Sequence, residues 1–294
     1  MSRELKLGRS ALEVRVWQVA LLVGALLIWQ WGFVLRKQGW PVPALLDPYF
    51  ISTPSEIWRR FLQLGCLSDR RGGWLVGSDP GFLACLEDRE NNLWFATFAT
   101  LRNTFWGFVT GVAAGVFAGL ALGRSEYLAR IFEPYVVAFN SVPRIAVVPL
   151  IILMFGLGDM SKIVTAWVIV VFLVFFNTFE GARAVDRDHI AVARLLGASQ
   201  WQIMRTVIIP STMAWVFAAL SPAISGSLIG VIVGEFIGAE RGLGKLIVEA
   251  EAKAESADMM VAIFVLMVVG VALSTAIRRL QSYLLRWQAH FQTM

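Results

Sequence analysis

Charge, histidine and cysteine are all scarce in this chain, and each scarcity closes off a class of function. Only 16% of its 294 residues are Asp, Glu, Lys or Arg, while 57% are hydrophobic. A water-soluble domain keeps about a quarter of its residues charged, so this chain is an integral membrane protein. Its two histidines, His189 and His290, stand far apart, and its two cysteines are Cys66 and Cys85. No Cys, His and carboxylate cluster has metal-ligand spacing, and no catalytic constellation is visible. The phrase Ala239-Glu240-Arg241-Gly242-Leu243-Gly244-Lys245-Leu246 imitates a phosphate loop. It puts Ala239 at the required first glycine and Leu246 where Ser or Thr must hold magnesium. The chain is therefore expected to carry no cofactor, to be no enzyme, and to leave any ATP and magnesium to another subunit. Its net charge of +5 follows from membrane topology and needs no nucleic acid.

What the chain does have is long apolar runs: 16–35, 103–123, 163–179, 206–234 and 259–277, with a sixth, 134–158, interrupted only by Arg144. Each is near or above the roughly 20 residues that span a bilayer. Membrane strands would instead alternate over segments of about 10 residues, so the expected fold class is all-α with about six transmembrane helices. The first run exceeds a signal peptide's apolar region and no small-x-small cleavage site follows, so it reads as a retained helix. With a cytoplasmic N-terminus, Arg3, Lys6, Arg9 and Arg15 share one side with Arg124, Arg130, Arg183, Arg187, Arg194, Arg205 and the tail Arg278, Arg279 and Arg286. Short basic loops favour that orientation, in the inner membrane with both termini on its cytoplasmic side. The expected domains are 1–95, an N-terminal helix and periplasmic loop; 96–278, the transmembrane domain; and 279–294, a cytoplasmic tail.

Within the periplasmic loop, Thr53-Pro54-Ser55-Glu56 precedes an apolar stripe. A capping Thr, a first-turn Pro and an acidic first turn predict a short amphipathic helix on the membrane surface. The Gly- and charge-rich stretch 69–92 reads as loop. Cys66 and Cys85 both face the oxidising compartment, and either a disulfide or two unpaired small apolar residues fits the sequence. Glycine recurs every fourth residue at Gly107, Gly111, Gly115, Gly119 and Gly123, and again at Gly226, Gly230, Gly234 and Gly238. Each series forms one smooth helix face that lets another backbone approach. Pro134, Pro143 and Pro149 crowd one apolar run, which is expected to be kinked or broken.

Between two apolar runs lies a polar island, Val192-Ala193-Arg194-Leu195-Leu196-Gly197-Ala198, that ends at Val207-Ile208-Ile209-Pro210. Asp186 and Asp188 are N-terminal acids for a helix over 189–196, and Gly197 can take the left-handed conformation that ends it. A second short helix over 199–208 then runs into Pro210. The result is a helix-turn-helix knob with Val192, Leu195, Leu196 and Trp201 as apolar contacts and Arg194 and Arg205 as charge; an amphipathic loop lying on headgroups is the plain alternative. The spacing Ala-x3-Gly-x9 before Val207-Ile208-Ile209-Pro210 resembles the cytoplasmic EAA loop of permease subunits in binding-protein-dependent ABC importers. Ala191 stands where that motif begins with Glu. Further matches are Leu101-Arg102-Asn103-Thr104, Val142-Pro143-Arg144-Ile145-Ala146-Val147-Val148-Pro149-Leu150, Phe155-Gly156-Leu157-Gly158 before Ser161-Lys162, Glu180-Gly181-Ala182-Arg183, Glu235, and Gly242-Leu243-Gly244. These resemble the nitrate, sulfonate, taurine and bicarbonate branch.

The resemblance implies a type I importer permease fold and a homodimer served by two cytoplasmic ATPases. It also implies a periplasmic or lipid-anchored binding protein that delivers a small, often anionic solute over loop 36–95 and residues 238–256. By the same resemblance, Ala191, Val192, Ala193, Arg194, Leu195, Gly197, Ala198, Trp201 and Pro210 form the ATPase contact. Polar groups inside apolar spans mark candidates for the solute path: Asn140, Ser141, Arg144, Ser225, Ser227 and Glu235. Arg144 and Glu235 could instead pair with each other or snorkel. An ion-coupled secondary transporter is the alternative function, and it predicts transport driven by an ion gradient without any ATPase. If Arg144 supplies a positive field for an anionic solute, Arg144→Gln at wild-type expression lowers its uptake; unchanged uptake contradicts that role.

Overall fold

The computed structural model describes residues 2–37, 39, 51–68, 82, 85, 92–124, 126–238 and 240–284. Most of stretch 69–92, Ala239 and the tail with Arg286 and His290 lie outside the described residues, as does the side chain of Asn140. Every regular element among them is a helix: α1 (Ser2–Lys37), α2 (Pro54–Leu64), α3 (Leu93–Gly123), α4 (Glu126–Ser141), α5 (Val148–Phe155), α6 (Asp159–Arg183), α7 (Arg187–Leu195), α8 (Gln200–Ile203), α9 (Ile209–Gly238), α10 (Leu243–Ala252) and α11 (Ser256–Leu284). Five helices are long and apolar enough to cross a membrane, or six if the bent pair α4 and α5 is one span. They fall into two compact units, one of 1–92 with 246–264 and the other of 93–245 with 265–294.

In the second unit, α6 is the axis about which α3 and α9 are built. Both glycine series turn toward it. A β-carbon on Gly107 would lie 2.5 Å from Ala166 Cβ; one on Gly111 would meet Val170 at 2.8 Å, one on Gly119 Thr178 at 2.6 Å, and one on Gly123 Ala182 at 2.8 Å. On α9, a β-carbon on Gly230 would lie 3.0 Å from the Ala166 backbone and one on Gly234 3.3 Å from Lys162 Cγ. Ala166, Val170 and Val174 are consequently fully buried. Val170 and Val174 pack with Ala219 and Ala223 of α9, and Phe108, Val112 and Val116 of α3 close over them. In lipid, helices gain nothing from hiding apolar groups from one another, so close backbone packing of this kind supplies the association. The outward faces remain apolar, as lipid demands: Phe117 is 79% exposed and Leu153 83%. Thr104, Thr165 and Thr178 donate to the carbonyls of Thr100, Ser161 and Val174, which satisfies their hydroxyls within their own helices.

The prolines act unequally. Pro143 lies in the break after α4, where a 3-10 turn (Arg144–Val147) leads into α5 and the two helix axes meet at 80°. Pro149 sits in the first turn of α5, where a missing donor costs nothing. Pro134 stays inside α4, and the run is broken, as expected, at Pro143.

In the first unit, α2 forms where expected, but Thr53 makes no side-chain cap. Gln30 of α1 reaches across instead: its Oε1 accepts from the Ser55 amide at 3.1 Å and its Nε2 donates to Ser55 Oγ at 2.9 Å. Arg60 holds α2 by a two-pronged bond to Asp258, Nε to Oδ1 at 2.6 Å and Nη2 to Oδ2 at 2.7 Å. Trp29 stacks on Phe264 with centroids 6.0 Å apart. Cys66 and Cys85 form a disulfide. Asn92 Nδ2 donates to Cys66 Sγ and to the Cys85 carbonyl.

Gly115→Val tests the glycine contact, because a β-carbon there meets both Val174 Cβ and the Val171 carbonyl at 2.9 Å. Overpacking should cost about 1–3 kcal/mol and lower the Tm of the detergent-solubilised protein by several degrees. Gly24→Val, with open space around it, should leave Tm unchanged; equal Tm for the two variants contradicts the packing.

Candidate functional site

Residues 186–203 fold into a compact helix-turn-helix whose two ends are both capped by the chain itself. Asp186 opens α7 by accepting from the Asp188 amide at 2.9 Å. At the other end Gly197 adopts φ +78°. Its amide donates to the Arg194 carbonyl and that of Ala198 to the Ala193 carbonyl, the paired bonds of a Schellman ending. Ser199 then starts α8 with a capping box: its Oγ accepts from the Gln202 amide at 3.2 Å while Gln202 Oε1 accepts from the Ser199 amide at 2.7 Å. Three apolar side chains are left standing on the surface, Leu195 at 87%, Leu196 at 82% and Trp201 at 69% exposure. Val192 and Arg194 are exposed beside them, and Ala193 and Ala198 are half-buried.

The second helix of this hairpin does not stop at Pro210, as expected from the sequence, but continues into the membrane span. A π-turn at Met204–Ile208 makes the join, with the Ile209 amide bonded to the Met204 carbonyl. Proline clashes with the carbonyl four residues before it in an α-helix, and the wider turn relieves that clash. Residues Gln200–Gly238 therefore form one rod of 39 residues, roughly 60 Å long at 1.5 Å per residue.

At the far end of that rod, Glu235 is 1% exposed. Its Oε1 accepts from Thr100 Oγ1 at 2.8 Å, and its Oε2 accepts from the same hydroxyl at 3.1 Å and from the Gly244 amide at 2.8 Å. Thr100 Oγ1 in turn accepts from the Leu243 amide at 2.9 Å. Gly242 and Gly244 leave the room this requires: a β-carbon on Gly244 would lie 2.7 Å from Glu235 Cβ, and Gly242 at φ +129° faces the carboxylate directly. Lys162, 1% exposed, packs beside Gly234, and its Nζ lies 3.8 Å from Asp159 Oδ1. Arg102 also bonds Asp159, and Asn103 Nδ2 donates to it at 3.1 Å. Two acids thus balance two bases at this end of the bundle, which is how buried charge is tolerated. Glu235 is held by Thr100 and Gly244 rather than by Arg144.

The remaining path candidates are dispersed. Ser141 is exposed at the end of α4 and donates to the Val137 carbonyl; Arg144, half-buried, opens the 3-10 turn. Ser227 is fully buried and donates to the Thr104 carbonyl at 2.9 Å, a helix-to-helix bond. Ser225 faces Ser274 at 3.4 Å in an open, largely apolar groove of about 400 Å³ between α9 and α11, floored at Gly270 and ending at Arg278. Nothing in the sequence pairs Thr100 with Glu235, or gathers Arg102, Asn103 and Lys162 around Asp159. The residues of the Asp159 group come from two helices, α3 and α6, and only the chain's folding brings them together.

Comparison with known proteins adds a family, three relatives and two solved structures. The family model described as binding-protein-dependent transport system inner membrane component matches residues 111–290. The taurine transport system permease protein of Escherichia coli (strain K12) is 25% identical over 94% of this chain and 92% of its own length. The putative aliphatic sulfonates transport permease protein of Bacillus subtilis (strain 168) is 30% identical over 63% and 67%. The riboflavin transport system permease protein of Chloroflexus aurantiacus is 32% identical over 67% and 74%. Among solved structures, an amino acid ABC transporter with histidines superposes with a TM-score of 0.53 at 19% identity, covering 72% of this chain and 99% of that one. An inward-facing MetNI methionine ABC transporter does so at 0.52 and 22%, covering 65% and 93%. The permease fold is common to all of them.

Glu235→Leu removes the acceptor shared by Thr100 and Gly244 and one of the two acids opposite Lys162. Breaking such a buried set should cost about 3 kcal/mol, read as a lower Tm in detergent. A wild-type Tm for this variant contradicts the cluster.

Proposed function

The chain belongs to the binding-protein-dependent transport system inner membrane components, the permeases of ABC importers, and we propose from this that the knob at 186–203 is where it takes its drive from ATP. Two copies of the chain form the channel, and a cytoplasmic ATPase docks on each knob. Both termini are cytoplasmic in this arrangement. ATP and magnesium are held by the ATPases, and this chain supplies the moving wall. A binding protein delivers the solute from the other side of the membrane.

The observation that carries this reading is the exposed Leu195, Leu196 and Trp201 on a turn fixed by its own Schellman ending and capping box. An apolar cluster on a self-capped protrusion is shaped to enter a groove on another protein. Ala191 supplies no carboxylate there, so apolar contact and Arg194 carry the docking. The turn is continuous with α9 through the π-turn, so displacement of the knob moves the rod through the membrane. This gives the ATPase a mechanical hold on the solute path without any ATP chemistry in the permease.

For the solute we infer a small anion of the sulfonate or related oxoanion class, met near the break between α4 and α5 where Ser141 and Arg144 interrupt an apolar span. The taurine and aliphatic sulfonate relatives support this choice.

Gly197→Asp tests the docking. Space around Gly197 is open, so the change adds no internal clash. It adds a charge beside the exposed apolar cluster and strains a left-handed residue by about 1–2 kcal/mol. A tagged wild-type chain taken from its native membranes in mild detergent should co-purify an ATPase identified by mass spectrometry, and the variant should lose it. Absence of any ATPase from the wild type, with its oligomer intact, overturns the reading.

A further inference from the structure

We propose that Glu235, with Thr100, is a positioning residue for the transport cycle. It clamps the segment 242–245, the head of α10, onto the end of the rod whose opposite end carries the ATPase-docking turn. The inference rests on the permease reading above and adds the connection at the other end.

Three observations converge on it. First, the carboxylate accepts from two different elements, the Thr100 hydroxyl of α3 and the Gly244 amide of α10. Second, the clamp is closed from both sides, because Thr100 passes the link to the Leu243 amide through the same hydroxyl. Segment 242–245 is thus tied to α3 and α9 at once. Third, the glycines at 242 and 244 leave no room for a β-carbon against Glu235, so the segment fits tightly on the carboxylate. Leu243 is fully buried beneath it.

The consequence is mechanical. From the docking turn at 186–203 the chain runs without a break through Gln200–Gly238, and Glu235 lies in its last turn. Anything that moves the head of α10 must therefore move the end of the rod. Likewise, anything that moves the docking turn must move the head of α10. Glu235 acts in this through its geometry, as a hydrogen-bond acceptor. Solvation of a passing ion by its charge is a different role, and the experiment separates the two.

The test uses the complete complex in proteoliposomes: permease, ATPase and solute-loaded binding protein, with ATP hydrolysis measured with and without the binding protein. Wild type serves as the control for the permease reading. A wild-type complex without an ATPase, or without hydrolysis, contradicts that reading and says nothing against the clamp. Given an active wild type, Thr100→Val, which breaks the link to Leu243, should still co-purify the ATPase while its stimulation ratio falls toward about one. Glu235→Gln keeps an acceptor for Gly244 and a partner for Thr100, and should keep most of the wild-type ratio. Full stimulation in Thr100→Val overturns the proposal, and so does stimulation lost in Glu235→Gln, which would assign the role to charge. Should Thr100→Val fail to accumulate, amide hydrogen exchange on the wild-type complex decides. The Leu243 and Gly244 amides should exchange slowly with and without trapped ATP, and a rise of about tenfold or more in either state overturns a rigid link.

Discussion

The structure depends on how closely α3 and α9 approach α6. Glycines at 107, 111, 119 and 123 on one helix and at 230 and 234 on the other remove the side chains that would hold the backbones apart. In a solvent as apolar as the side chains themselves, this shape matching is what binds the helices. The buried valines of α6, the inter-helix bond from Ser227 to Thr104 and the charge cluster at Glu235 all follow once the three backbones are this close. A hydroxyl donating to a carbonyl of the next helix at 2.9 Å requires that approach.

The two ends of the α9 rod differ in character. The turn at 186–203 is exposed, self-capped and apolar at its tip, whereas the Glu235 end is buried and hydrogen-bonded. A π-turn at Met204–Ile208 lets one continuous helix serve both, in spite of Pro210. Local hydrogen bonding shapes the first end and inter-helix bonding the second. The turn is therefore shaped by its own segment, whereas the contacts of Glu235 exist only while the bundle is assembled.

This difference also accounts for what the sequence made legible. The spans, the amphipathic α2 and the hairpin over 186–203 are written in local signals: apolar run length, Pro54 in a first turn, Asp186 and Ser199 as caps, Gly197 as an ending. The glycine series announced close packing, but the spacing alone did not say that both series meet α6. The continuity of α8 with α9 was hidden, because Pro210 reads as a break unless a π-turn intervenes. Thr53 reads as a cap, yet the Gln30 side chain takes that role from α1. The partnership of Glu235 with Thr100 joins residues 135 positions apart in the chain. Pairing over that distance is decided by the fold as a whole and leaves no trace in neighbouring residues.

The most direct measurement places a photo-crosslinking amino acid at Trp201 in the full-length chain within native membranes, with a second at exposed Phe117 as a lipid-facing reference. The account predicts a strong crosslink from position 201 to a nucleotide-binding subunit and none from position 117. A crosslink from 201 to lipid alone, at the level seen from 117, would contradict the docking role of the turn.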